Sequence, residues 1–162
     1  MNFFKTSYQS PVGTLQITCN QEALCSLHFI DEDEREERTG ENEVTQIVVQ
    51  QLDEYFKGER KLFQMPILQN GTSFQIKIWS LLQDIPYGRT VSYMDLSKRF
   101  GDIKAIRAVA AANGKNNIAI VVPCHRVIGS NKSLTGYAGG LWRKRWLLAH
   151  EAKFNNDVQE LF

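Results

Sequence analysis

Pro123-Cys124-His125-Arg126-Val127 puts a sulfur nucleophile, an imidazole and a guanidinium on consecutive residues, directly after the apolar run Ile118 to Val122. A cysteine attacks as its thiolate, and an unperturbed thiol of pKa about 8.5 is only a few per cent ionised at neutral pH, so its neighbours decide its reactivity. His125 can take the thiol proton, directly or through a water, and a carboxylate would fix its tautomer and stabilise the imidazolium. Glu151, at the end of the last expected helix, is the candidate carboxylate. On its own the Cys-His pair reads more readily as a buried cysteine beside a structural histidine, and only its surroundings can reverse that preference.

A second group of residues suggests contact with a nucleic acid. Ala105, Ala108, Ala110, Ala111 and Ala112 surround one large cation, Arg107. Small side chains let a helix backbone approach another surface closely, and a cation on such a face can enter a DNA groove or replace an extruded base. The same alanines are also good helix formers, so both readings stay open at this point.

The elements that must position these residues are legible in outline. Residues 3–30 read as strands, with a turn at Ser10-Pro11-Val12-Gly13, alternation over Thr14 to Thr18 and an apolar run at Leu24 to Ile30, which suggests a hairpin. The charged stretch Asp31 to Glu43 reads as a solvated loop. Val44, Ile47, Val48, Leu52, Tyr55 and Phe56 recur at helical spacing, and Gly58 stands where the helix should stop. In the second half, Thr72 or Ser73 caps a helix carrying Phe74, Ile78, Leu81, Leu82 and Ile85. Ser92 with Asp95 forms a capping box for a helix ended by Gly101, and Asp102 caps the next, which runs to about Gly114. Two short helices around a glycine turn are the pattern of a helix-turn-helix. A final helix is expected from Trp142 to Glu151. These elements give an α+β chain with a small sheet-plus-helix domain at 1–68, a linker at 69–71 and a mostly helical domain at 72–162.

Charge divides the chain at the same place. Residues 1–71 carry 6 Lys and Arg against 12 Asp and Glu, whereas residues 72–162 carry 13 against 6. Net charges of −6 and +7 leave only the second half with the electrostatics of a polyanion-binding domain. A composition of 43% hydrophobic and 23% charged residues excludes a disordered chain. No apolar run approaches the roughly 18 residues that cross a bilayer, and no secretory signal is recognisable, so a cytoplasmic, DNA-associated protein without a membrane partner is expected. Three cysteines at irregular spacing, Cys19, Cys25 and Cys124, argue against a disulfide framework.

From Phe74 to Glu151 the chain resembles the O6-alkylguanine-DNA alkyltransferase family along its whole length. The resemblance is carried by Ile85-Pro86-Tyr87-Gly88, Thr90-Val91-Ser92-Tyr93, Ile106-Arg107-Ala108-Val109, Pro123-Cys124-His125-Arg126-Val127, Gly136-Tyr137-Ala138-Gly139-Gly140 and Lys144 through Leu148. Ser10-Pro11-Val12-Gly13 and Leu52-Asp53-Glu54-Tyr55-Phe56 are similar to the family's N-terminal domain. The resemblance implies a ribonuclease-H-like first domain and a suicide reaction with double-stranded DNA containing alkylated bases. An alkyl group would pass irreversibly from O6-alkylguanine, and also from O4-alkylthymine, to Cys124 after the nucleotide is flipped out. It implies that His125 and Glu151 form a relay generating the thiolate, that Arg107 fills the gap left by the extruded nucleotide, and that Tyr93 presses on the adjoining phosphate and protonates the departing base. Asn116 would brace the turn before the active-site segment, and Ser92, Ala105, Ala108 and Arg126 would lie against DNA. Val127, Tyr137, Ala138, Gly139 and Gly140 would wall the base pocket. A monomer without cofactor is implied. Some relatives hold a structural zinc, but here only Cys19, Cys25 and His28 offer ligands where a tetrahedral site wants four, so core packing is expected instead. Asn117, Ala110, Ile103 and Lys132 depart from the family's usual proline, glycine, proline and glycine.

Overall fold

A computed structural model describes residues 2–31 and 33–155 of the chain. The fold comprises two compact units, Met1–Gln69 with Asn117–Ala119, and Asn70–Asn116 with Ile120–Phe162.

The first unit is built on an antiparallel sheet of β1 (Phe4–Ser10), β2 (Gly13–Cys19) and β3 (Leu24–Phe29), in that order. Gly13, at a φ of 114°, closes the turn between the first two strands, and Ser10 Oγ there accepts from the Val12 amide. Strand alternation turns Leu15, Ile17 and Leu27 inward, and the register shift between Thr18 and Cys19 lets Leu24 join them; none is exposed. Across them lies α1 (Glu43–Phe56), started by a capping box between Asn42 and Thr45 and burying Val48, Leu52 and Tyr55. The sheet is extended by a segment distant in sequence. The Leu27 amide donates to Asn117 O and the Ala119 amide to Leu27 O, both at 2.9 Å. Ile118 is buried, and this isolated parallel bridge satisfies backbone groups of Leu27 that an open edge would leave to water.

The charged stretch 33–42 has no regular structure, yet it is fastened rather than merely solvated. Gln16, buried on β2, donates from Nε2 to Glu37 O at 2.8 Å and accepts from the Glu37 amide at 2.8 Å. Lys5 pairs with Glu37, and Ser7 with Glu36. A buried amide side chain needs such partners, which periodicity cannot reveal. Cys19 is buried, Cys25 half-buried and His28 exposed. Burial pushes the Cys19 thiol up to about 12, the behaviour of a packed apolar side chain. Among the described residues no group of three or more His, Cys, Asp or Glu side chains stands close enough to hold a metal, and no helix is long and apolar enough to cross a membrane.

The second unit begins with α2 (Ser73–Leu82), capped by Thr72 and Gln75. A parallel pair, β4 (Val91–Ser92) and β5 (Val127–Ile128), ties the start of α3 (Tyr93–Phe100) to the residues after the candidate nucleophile. Ser92 and Asp95 form the capping box read from the sequence, and Gly101 ends α3 at a φ of 103°. Asp102 caps a single 3-10 turn, Ile103–Ala105, before α4 (Ile106–Gly114) begins. The continuous helix expected there is thus preceded by a tighter turn, closed by the Ala105 amide on Asp102 O. Ile78, Leu82, Leu96 and Val109 are fully buried, and the Trp79 indole donates to Ala112 O at 2.8 Å, fixing α2 against the helix-turn-helix of α3 and α4. The last helix, α5 (Leu141–Phe154), extends beyond the expected Trp142 to Glu151 at both ends.

Candidate active site

One 3-10 turn, Cys124–Arg126, carries the candidate nucleophile, the imidazole and the guanidinium. Its approach is constrained from two sides. Asn116 Nδ2 donates to Val122 O at 2.8 Å, and Ile120 takes a φ of 69°, a left-handed conformation that a β-branched residue adopts only when its surroundings impose it. Ile120 is buried, so packing holds it there. After the turn, Val127 is buried and paired with Val91.

His125 and Glu151 are both fully buried, and His125 Nε2 lies 2.7 Å from Glu151 Oε2. The same carboxylate accepts Arg126 Nε at 2.8 Å, Arg126 Nη2 at 3.0 Å and the Gly88 amide at 3.2 Å. Arg126 Nη1 donates to Ile85 O at 2.6 Å. Arg126, placed against DNA by the resemblance, is therefore turned inward with its guanidinium on Glu151, because a buried carboxylate needs a cation beside it.

The electrostatics follow from this packing. Burial alone would raise the Glu151 carboxyl, but His125 and Arg126 outweigh it and hold the group well below the usual carboxylate range. Burial pushes His125 down, only partly opposed by Glu151, while Arg126 and Lys144 push the same way; the resting imidazole is neutral. An ionised Glu151 at Nε2 requires the proton on that nitrogen, which leaves Nδ1 as the lone-pair atom. Nδ1 is buried and has no hydrogen-bond partner within the protein. Burial also raises the Cys124 thiol, with Asn116 and the Lys144 charge pulling it back. Desolvation thus outweighs these two groups and opposes spontaneous ionisation of the sulfur, so forming a thiolate here requires a base.

Beside this turn lies a cavity of about 570 Å³ lined by residues that include Tyr93, Arg107, Ala110, Asn113 and Tyr137. Tyr93 opens α3, and its hydroxyl donates to Thr135 O at 3.3 Å. Tyr137 is half-buried with its hydroxyl sealed, and burial, helped by the Cys124 charge, raises its pKa. Ala138 is exposed and Gly139 half-buried; Gly140, at a φ of 94°, leads into α5. On α4, Arg107 and Ala108 are exposed; Ala105, just before it, is half-buried, and Ser92 caps α3.

Three further residues had no role assigned by the sequence. Lys144 is fully buried and donates to Thr135 O at 2.7 Å; burial lowers its pKa to about 8. Its spacing from Leu147 and Glu151 on one helix face was the available signal, since a lysine on a buried stripe needs a reason. Asn113 donates from Nδ2 to Cys124 O at 3.5 Å. Gly88 supplies its amide to Glu151, a backbone role that residue type does not advertise.

Similarity to known proteins extends over both halves of the chain. Residues 73–153 match the DNA binding domain, and residues 3–69 the ribonuclease-like domain, described for 6-O-methylguanine DNA methyltransferase. The constitutive methylated-DNA–protein-cysteine methyltransferase of Bacillus subtilis is 44% identical over 146 residues, 86% of this chain and 88% of that protein. Its counterpart in Mycolicibacterium paratuberculosis is 44% identical over 156 residues, 94% of each. The crystal structure of Mycobacterium tuberculosis O6-methylguanine methyltransferase matches with a TM-score of 0.87 at 38% identity, covering 99% of this chain and 100% of that one. Mycobacterium tuberculosis OGT in complex with DNA matches with a TM-score of 0.84 at 40% identity, covering 95% and 94%. With both domains of the family matched in order and the same similarity sustained over full-length relatives, the chain belongs to the 6-O-methylguanine DNA methyltransferase family.

Proposed function

We propose that this protein repairs double-stranded DNA by transferring the alkyl group of O6-alkylguanine to Cys124 in one irreversible step, after the nucleotide is flipped out. The observation that carries this reading is the buried His125–Glu151 pair at 2.7 Å beside Cys124, which orients an imidazole with Nδ1 left to accept a proton. In the reaction His125 takes the thiol proton, directly or through a water, and sulfur attacks the alkyl carbon. The carbon–O6 bond breaks with its electron pair passing to the base, which leaves as guanine after accepting a proton, with the Tyr93 hydroxyl as donor. A thioether has no easy reverse reaction, so each molecule reacts once.

The extruded base would lie against Val127, Tyr137, Ala138, Gly139 and Gly140, with Asn116 bracing the turn and Arg107 filling the gap in the stack. Extrusion costs a few kcal/mol for an ordinary pair and less for a poorly paired lesion, so damage is partly selected before entry. Ser92, Tyr93, Ala105 and Ala108 would face the duplex. O4-alkylthymine is a second substrate, the acting species is a monomer in the cytoplasm, and no cofactor takes part.

Intact mass after incubation with duplex DNA carrying O6-methylguanine tests the reading. A gain of one methyl mass, located on Cys124 and absent from Cys124→Ala although that variant still binds DNA, is expected. Binding without any mass gain would reassign the protein to lesion recognition alone, and repeated turnover without a lasting adduct would make it a hydrolase.

A further inference from the structure

Lys132 takes a φ of 65°, a left-handed conformation that glycine adopts without strain and other residues adopt rarely. Its turn is nevertheless built to hold it there. The Lys132 amide donates to Gly129 O at 2.8 Å, the Gly129 amide to Ser133 O at 2.9 Å and the Ser133 amide to Asn131 Oδ1 at 3.1 Å. A Cβ on Gly129 would stand 2.6 Å from Ser133 Oγ, so the glycine of this turn is spent on closing its two arms. The residue held in the strained position is exposed, and its ammonium forms no ion pair among the described residues. A strained backbone under an unneutralised charge points to something outside the chain that uses the charge.

The turn leaves β5, whose Ile128 pairs with Ser92 at the start of α3. Three residues beyond Lys132, the Thr135 carbonyl accepts both the Tyr93 hydroxyl at 3.3 Å and Lys144 Nζ at 2.7 Å, which ties this arm beside Tyr93. Thr135 and Gly136 line the cavity of about 570 Å³ together with Arg107 and Ala110 of α4. A nucleotide that enters this cavity stays joined to its strand by phosphates at the rim. Three residues span at most about 11 Å, which is the rise of about three nucleotides along one strand. Resting on the proposed repair reaction, we infer that Lys132 is a DNA-binding residue whose ammonium neutralises a backbone phosphate within about three nucleotides of the lesion. This contact lies on the rim formed by residues 135–136, apart from those made by α4, and it belongs to the basic half of the chain, residues 72–162 with a net charge of +7.

Binding to a duplex containing O6-methylguanine, followed by fluorescence anisotropy across salt in a Cys124→Ala background that cannot consume the lesion, tests this. Adding Lys132→Gln is expected to reduce the slope of log affinity against log salt by about 0.9, so that its binding deficit shrinks about 3.5-fold between 50 and 200 mM salt. Lys132→Arg, which keeps the charge, should leave the slope unchanged. Lys132→Gly removes the charge and the backbone strain together, and it should show the same reduced slope while unfolding at no lower urea concentration than the natural protein; that combination separates a lost contact from a damaged turn. Neutral methylphosphonate linkages, placed one at a time within three nucleotides of the lesion, locate the contact: at one position the linkage should weaken binding when Lys132 is present and have no effect on Lys132→Gln. An unchanged slope in Lys132→Gln and Lys132→Gly overturns the inference, as does a slope reduced equally in Lys132→Arg or the lack of any such position. Methyl transfer to Cys124 is measured alongside in the natural protein. Its absence would remove the repair reading itself, whereas transfer with an unchanged slope would remove the phosphate contact alone.

Discussion

Glu151 is charged, fully buried and shared among His125, Arg126 and the Gly88 amide. Breaking a buried pair by removing one partner leaves an uncompensated charge, at a cost of several kcal/mol. Glu151→Gln is therefore expected to lower unfolding stability by about 3 kcal/mol in urea and to slow transfer by about 10² or more, because His125 loses its fixed tautomer. The pH dependence has a definite sign. The folded carboxyl titrates below its unfolded value of 4.5, so its stabilisation is complete above that pH and fades as pH falls through the folded value. The natural protein and Glu151→Gln should accordingly converge in stability on acidification. Lys144 gives a slope of the same sign in the alkaline range, because its charged form is the one that burial penalises. Burial lowers its folded pKa to about 8 from 10.5, so between those values the unfolded chain binds more protons and stability rises with pH. Urea midpoints of the natural protein should rise relative to those of Lys144→Met as pH increases from about 8 towards 10.5; a constant difference would show that the ammonium is not desolvated.

At the scale of elements, the site depends on where short turns place α5 against the 3-10 turn of Cys124. Gly88 takes a φ of 76°, and a Cβ there would stand 2.3 Å from Asn155 Nδ2 and 2.7 Å from its Cγ. A left-handed conformation costs a non-glycine residue about 1–2 kcal/mol before any clash is counted. Gly88→Ala should therefore destabilise by about 2 kcal/mol and slow transfer through Glu151, measured by thermal unfolding and single-turnover kinetics. A shift below about 0.5 kcal/mol would show that Asn155 moves aside freely and that the amide does not hold the carboxylate. Lys132 shows the same economy in reverse. It occupies a φ of 65° without a glycine, in the exposed turn where the family usually has one.

At the scale of the molecule, opposite charge on the two halves separates an acidic sheet unit from a basic helical one. The logarithm of DNA affinity should fall linearly with the logarithm of salt concentration, and removing one phosphate-binding cation should reduce the slope by about 0.9. Lys104→Ala, on the exposed turn leading into α4, is expected to weaken binding to every sequence and to flatten that slope, as read by fluorescence anisotropy across salt. An unchanged slope would place the duplex on another face.

The pairing of His125 with Glu151 and the caps of α2 and α3 were legible in the sequence because residue type, local spacing and motif order carry them. So was the charge contrast between the halves, which is additive along the chain. Tertiary structure alone turned Arg126 inward, buried Lys144, left Asn113 Oδ1 without a donor and brought residues 117–119 onto β3. Each of these is a matter of which partner a polar group meets after distant segments pack. Desolvation makes that partner decisive in the interior, and one-dimensional order does not contain it.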